Sequence, residues 1–390
     1  MNRRRLVVVV AITALISSLA TYSALTYVRW KLAPADVKGI EKLRRVISEV
    51  SSRYVTDVDP SVLYEGALYG VVRALGDPYS DYYNTEQWKE LLTSTTGSYT
   101  GVGLYIGVED KYITVIAPIK GSPADRAGLR PGDKILKVDD RDVTGMPSDV
   151  VANLIKGKAG TRVNLLIGRG GTQPFSVVLL RENINVPSAE GKMLENDIGY
   201  LQLIHFNENA YSETKRELDM LIKGGAKGII LDLRGNPGGL LDQSVRIAEL
   251  FVPRGVVVSV VDKAGGKQVY ESKSEGLKLP LVTLVDKGSA SASEILAGAI
   301  KDRGVGPLVG TRTFGKGSVQ TLVDLPDGSG LKLTTAKYYT PKGVSINGTG
   351  IEPDVLVEVP AEQKPGEDVQ LEEAKKIILK LIAEAGERGR

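Results

Sequence analysis

The chain has no cysteine and one histidine, His205, in 390 residues. The first absence excludes disulfide bonds, a thiol nucleophile and zinc sites built on thiolates. It fits a protein that works outside the cytosol without disulfide support. The second makes any Ser-His-Asp triad depend on one residue. His205 lies in Leu201–Phe206 (LQLIHF), which reads as a strand, and a lone histidine there is more often a partly exposed strand residue than a base. Charge of either sign is not in excess: the net charge is +3 with 25% charged residues, which gives no support to a nucleic-acid partner. Internal repeats, low-complexity tracts and metal-ligand clusters are also missing, so no metal and no other cofactor is expected.

The length is that of two or three domains. The most informative stretch is Gly288–Gln320. It follows Leu281–Val285 (LVTLV), an apolar β-branched run of buried-strand length. Small residues come next, then Ile295, Leu296, Ala299 and Ile300 at helical spacing. Ser291 therefore stands where a strand turns into a helix. The free N–H groups and positive dipole end of a helix start stabilise negative charge developing there. A cap role is the plain alternative, because Ser291-Ala-Ser-Glu294 fits the S-x-x-E capping box.

A serine nucleophile needs a base. Lysine can serve only where its amine is neutral, which requires burial. Lys301 is ten residues along the same helix, roughly 15 Å away at about 1.5 Å per residue. Lys287 precedes the turn and is expected to be exposed. Lys316 sits between Gly315 and Gly317 in an otherwise apolar stretch and could be delivered into a pocket. Gly310–Lys316 also approaches a phosphate-binding loop, but Gly317 stands where Ser or Thr is required and a strand follows, so nucleotide binding is discarded.

GSASASEILAGAIKD followed by GTRTFGKGSVQ closely resembles the catalytic segments of the C-terminal processing peptidases, or tail-specific proteases. The resemblance implies Ser291 as nucleophile, Lys316 as general base and Gln320 as the residue that orients the lysine. Asp302 matches a supporting acidic position.

The remainder of the chain fits that resemblance. Arg3-Arg4-Arg5 precede the uncharged stretch Leu6–Val28, long enough to span a bilayer. A cleaved signal peptide, with Ser18-Leu19-Ala20 as its site, and an uncleaved anchor are both readings of residues 1–30; the run past Ala20 favours the anchor. The arginines then stay inside and the catalytic part is extracytoplasmic. Residues 35–95 read as helical, ended by turn signals, and LGDPYSDYY resembles the family's N-terminal region. Residues 97–182 change to short strands and glycine turns. GSPADRAGLRPGDKILKVDD resembles a PDZ domain, and Gly101-Val102-Gly103-Leu104 matches its carboxylate-binding loop, where successive N–H groups form a nest and the peptide adds as an edge strand. Residues 183–360 alternate strands and helices, an α/β pattern; the resemblance implies a ClpP/crotonase-like core. LDLRGNPGG resembles the family's oxyanion segment, which implies Gly239, and less surely Gly238, as one donor beside the N–H of Ala292. Residues 361–390 end in a helix with an apolar stripe, suited to packing on the core or to subunit contact.

The sequence is thus expected to encode a membrane-tethered serine endopeptidase of α/β class with an inserted β-rich PDZ domain and helical termini. It should act on proteins or peptides with exposed C-termini and form a homodimer or larger homo-oligomer through its terminal helices. The alternatives are a PDZ scaffold with an inactive protease core, and a crotonase-type acyl-CoA enzyme, for which no PDZ insertion and no Ser/Lys pair would be expected.

Overall fold

The computed structural model describes residues 16–18, 21, 34–95, 97–170, 172–360 and 367–388. Most of the Leu6–Val28 segment lies outside these residues. No helix among the described residues is long and apolar enough to cross a membrane. The chain divides into two compact units, up to Tyr82 and from Tyr83 onward.

The first unit is built on helices Pro34–Arg53 and Pro60–Arg73. The second starts where Asp59 accepts from Ser61 N–H at 2.9 Å and Pro60 takes the first helical position; proline lacks the N–H that would be orphaned there. The expected all-helical reading of 35–95 is too simple, since Asp81–Tyr83 is a strand and a third helix, Thr85–Thr95, opens the second unit. Aromatic Tyr82 and Tyr83 suit extended backbone once Pro78 has broken the helical run.

In the second unit a six-stranded antiparallel module follows Gly103. Strand Arg162–Gly168 buries alternate residues, Val163, Leu165 and Ile167, against Ile113, Val115, Ile135 and Val151. That period of two puts one face in the module's own core. Helix Ser148–Ile155 closes it, and the turn Gly121–Gly128 contains the short helix Pro123–Arg126. The module enters and leaves through Ser98–Gly101 and Glu182–Asn185, which pair antiparallel.

The larger core carries a six-stranded sheet. Its order is Ala189–Leu194, Ile198–Leu203, Gly228–Asp232, Leu281–Val285, Leu308–Gly310, Val355–Leu356. All pairings are parallel except the first. Gly228–Asp232 and Leu281–Val285 are buried along their whole length, which explains their unbroken apolar runs. Ile229 and Leu231 face helices Leu241–Phe251 and Ala292–Asp302, whereas Ile230 faces the C-terminal helix Val369–Arg388. The apolar stripe of that last helix is consumed here: Ala374 and Ile378 are fully buried against the sheet. Burial of the Ile378 side chain contributes about 1.5–3 kcal/mol and that of the Ala374 methyl about 0.8 kcal/mol. A second, antiparallel set of strands holds Ser318–Asp324, Gly330–Tyr339, Gly255–Asp262 and Lys267–Ser272. The carboxyl ends of the parallel strands feed the turns that build the site, as open parallel sheets generally do.

Candidate active site

Two strand-to-helix turns meet at the end of the sheet. Asp286, just past Leu281–Val285, accepts from Gly288 N–H at 2.9 Å and from Gly235 N–H, in the neighbouring turn, at 2.8 Å. Ser289 Oγ donates to Leu233 O at 2.8 Å. Ala290 N–H and Ser293 Oγ both donate to Asn236 O, at 3.0 and 2.9 Å. One turn therefore carries the serine and the other the glycines, and these bonds tie the two together.

Ser291 caps helix Ala292–Asp302 with φ 55° and ψ −113°. For a residue with a Cβ this costs about 1–3 kcal/mol and persists only where its surroundings enforce it. They do. Its N–H donates to Glu294 Oε2 at 2.9 Å, and its carbonyl accepts from Glu294 N–H at 2.8 Å and Ile295 N–H at 3.0 Å. The capping-box residues are thus present as expected, but they hold a strained backbone rather than an ordinary cap.

The amides expected to face an oxyanion differ in their partners. Gly238 N–H donates to Asn236 Oδ1 at 2.9 Å and is spent. The N–H groups of Gly239 and Ala292 have no hydrogen-bond partner among the described residues. Gly239 has φ 149°, and a Cβ there would stand 2.3 Å from Phe206 O. A Cβ on Gly238 would stand 2.8 Å from Ala292 N. The glycine turn is pressed against the serine turn, and only glycine fits at either position.

Lys316 reaches the same place by a third route. Its N–H donates to Glu294 Oε2 at 2.9 Å, Gly315 N–H to Glu294 Oε1 at 2.8 Å, and Thr313 Oγ1 to the same oxygen at 2.6 Å. Tyr338 donates its hydroxyl to the Lys316 carbonyl. Both flanking glycines are needed for contact with the turn at 346–350: a Cβ would lie 2.9 Å from Gly350 N at Gly315 and 2.6 Å from Asn347 N at Gly317. Gln320 Nε2 donates to Ser318 Oγ at 3.0 Å and Thr334 Oγ1 at 3.1 Å. Its other end, an amide oxygen, is the acceptor an ammonium requires.

Ser291, Ala292, Gly239, Lys316 and Gln320 line one cleft of 1160 Å³. Gly101, Val102, Gly103 and Leu104 line it too. One sequence expectation changes. His205 is not a strand residue, because pairing ends at Leu203; it lines this cleft, and burial pulls its imidazole below its ordinary value. Asp302 is not among the lining residues: it accepts from Lys342 N–H at 3.0 Å and pins the turn after Thr340. Lys301 is engaged elsewhere, donating to Glu352 O at 2.6 Å.

Glu294 is the residue sequence reasoning undervalued. It is fully buried and joins the nucleophile turn to the lysine turn. Its signal was visible in S-x-x-E but was read as local. Arg234 is another: it donates to Asp232 at 2.6 Å and, bidentately, to Asp368 at 2.8 Å, fastening the glycine turn to the start of the C-terminal helix. Burial opposes its charge, but the two carboxylates more than offset that and raise its pKa.

A serine on a strained turn, a lysine lining the same cleft and two free amides can form, stabilise and resolve an acyl intermediate. That is serine-type peptidase chemistry. Residues 197–357 match the model of peptidase family S41, residues 114–169 that of a PDZ domain, and residues 20–87 that of the N-terminal domain of the activating protease CtpB. The chain is 38% identical over 361 residues to the carboxy-terminal processing protease CtpA of Bacillus subtilis, covering 91% of this chain and 78% of that one. A carboxy-terminal-processing protease of Bartonella bacilliformis is 39% identical over 346 residues, covering 86% and 79%. Among solved structures, the photosystem II D1 C-terminal processing protease aligns with a TM-score of 0.51 and 32% identity, covering 84% of this chain and 94% of that one. The chain belongs to peptidase family S41, as a PDZ-containing serine peptidase with an α/β core.

Proposed function

We propose that the protein is an endopeptidase that selects substrates by their C-terminus and cleaves them at Ser291. Lys316, as the neutral amine, takes the hydroxyl proton and returns it to the leaving amine. Gln320 orients the lysine. The N–H groups of Ala292 and Gly239 receive the oxyanion, and water resolves the acyl-enzyme. The observation that carries this reading is the shared cleft: Gly101–Leu104 and Ser291 line one cavity. A peptide whose terminal carboxylate lies in the Gly101–Leu104 nest can extend toward the serine without leaving the protein.

The test is one peptide in two forms, with a free apolar C-terminal residue and with the same residue amidated. The free acid should be cleaved much faster. Equal cleavage would refute carboxylate selection and leave the PDZ domain at most a tether.

The protein is also proposed to be held at the membrane by Leu6–Val28, with the catalytic part outside the cytoplasm; the basic Arg3–Arg5 flank supports this. Self-association is proposed through the N-terminal helices. Ile40, Leu43 and Val46 are exposed on Pro34–Arg53, whereas the C-terminal helix spends its stripe on its own sheet.

A further inference from the structure

His205 is the chain's only histidine, and the peptidase mechanism gives it no task. Its place is set by its neighbour. Phe206 pairs with Gly239 in one parallel step: Phe206 N–H donates to Gly238 O at 3.2 Å, and Phe206 O accepts from Leu240 N–H at 2.7 Å. Adjacent side chains on extended backbone point to opposite sides. Phe206 turns its ring into the core; His205 points the other way and lines the cleft. One strand spacing, about 4.8 Å, separates this segment from the glycine turn. A Cβ on Gly238 would in turn lie 2.9 Å from Ser291 Cβ. The imidazole is therefore within reach of the substrate residues that flank the bond Ser291 attacks. It makes no hydrogen bond among the described residues. Asn207, two residues on, also lines the cleft, but its Oδ1 already accepts from Ser188 Oγ at 2.6 Å and Asn209 N–H at 3.0 Å.

We propose that His205 is a specificity-determining residue that hydrogen-bonds a hydroxyl-bearing substrate side chain next to the scissile bond. The proposal rests on the reading of this cleft as the peptidase site. A neutral imidazole has one donor and one acceptor nitrogen, and a serine or threonine hydroxyl offers the same pair of roles. Burial pulls the His205 imidazole below its ordinary value, so the ring is uncharged at neutral pH and suits a neutral partner. Leu240 and Leu241, which line the cleft just past the glycines, are apolar. In such a wall a single placed polar group fixes orientation and preference. A substrate with an aliphatic side chain at that point would cover the imidazole and leave its nitrogens unpaired, which costs binding. Proton transfer stays with Lys316.

The experiment uses the full chain and a peptide with a free, apolar C-terminal residue, the cut being located by mass spectrometry. At each of the two positions on either side of the cut, one version of the peptide carries Ser and another Ala. The ratio of kcat/KM for serine over alanine is read within each protein, so a general loss of activity cancels. The wild-type chain should favour serine roughly two- to tenfold at one of these positions, the worth of one net hydrogen bond. His205→Phe, which keeps a flat ring and removes both nitrogens, should bring that ratio to about one. His205→Leu is run beside it and carries the same expectation, so that poor folding of one variant does not decide the result. A wild-type ratio of about one at every position overturns the proposal, and so does a serine preference that a folded variant retains. Both of these results leave the peptidase reading standing. That reading fails instead if the wild-type chain cleaves no peptide of the series.

Discussion

Replacing Glu294 by Gln tests how the site is held together. The carboxylate is fully buried and accepts four bonds of 2.9 Å or less: two on Oε1, from Thr313 and Gly315, and two on Oε2, from Ser291 and Lys316. Glutamine must present its NH₂ to one of these pairs: toward Oε2 it faces two N–H donors, and toward Oε1 it faces the Gly315 N–H while the Thr313 hydroxyl must turn to accept. Hydrogen bonds to a charged group are worth about 1.5–3 kcal/mol each, so the loss is roughly 3–6 kcal/mol. A whole domain is stable by only about 5–15 kcal/mol. At about 2–4 °C per kcal/mol the melting temperature should fall by on the order of 10 °C. With the NH₂ toward Ser291 and Lys316 the strained turn loses its restraint outright; with the amide turned the other way the bond from Ser291 N–H survives only to a neutral acceptor. Misplacing the nucleophile at a cost of about 3 kcal/mol in the transition state lowers kcat about 100-fold. Calorimetry and peptide turnover, measured well below the melting range, read the two effects separately. A Glu294→Gln enzyme that melts within about 2 °C of wild type and keeps turnover within about threefold would refute the reasoning.

Gly239→Ala places a Cβ 2.3 Å from Phe206 O and forces the φ of 149° to change. Peptide cleavage should drop about 100- to 1000-fold, as for loss of one oxyanion donor, while circular dichroism shows the fold retained. Asp368 is opposed by burial, but the bonds from Arg234 outweigh it and lower its pKa from 3.8. A lowered folded pKa stabilises above the unfolded value, and that contribution is lost as pH falls through the folded one. Asp368→Asn should therefore melt below wild type at neutral pH, and the gap should close below about pH 4 in a thermal series.

What the sequence made legible was local. Leu281–Val285 falls where its apolar, β-branched run puts it, because it is buried along its whole length. The motifs around Ser291 and Lys316 were legible through resemblance, and both residues line one cleft. The misreading of His205 has a physical origin. The apolar character continues through Ile204 and Phe206, yet the neighbouring strand Gly228–Asp232 pairs only as far as Gln202. Nothing within Leu201–Phe206 says where a partner strand ends. Glu294 and Arg234 escaped for a related reason. Their partners are 19 to 22 and 134 residues away, in turns whose approach depends on the finished sheet.

The central claim is that Lys316 activates Ser291 without help from histidine. Mass spectrometry after reaction with a serine-directed acylating probe tests it most directly. The wild-type chain should carry one adduct, on Ser291. Lys316→Ala, folded by circular dichroism, should carry none. Lys316→Arg should also carry none, since a guanidinium keeps its proton. Labelling of Ser291 in the Lys316→Ala chain at the wild-type rate would contradict the account.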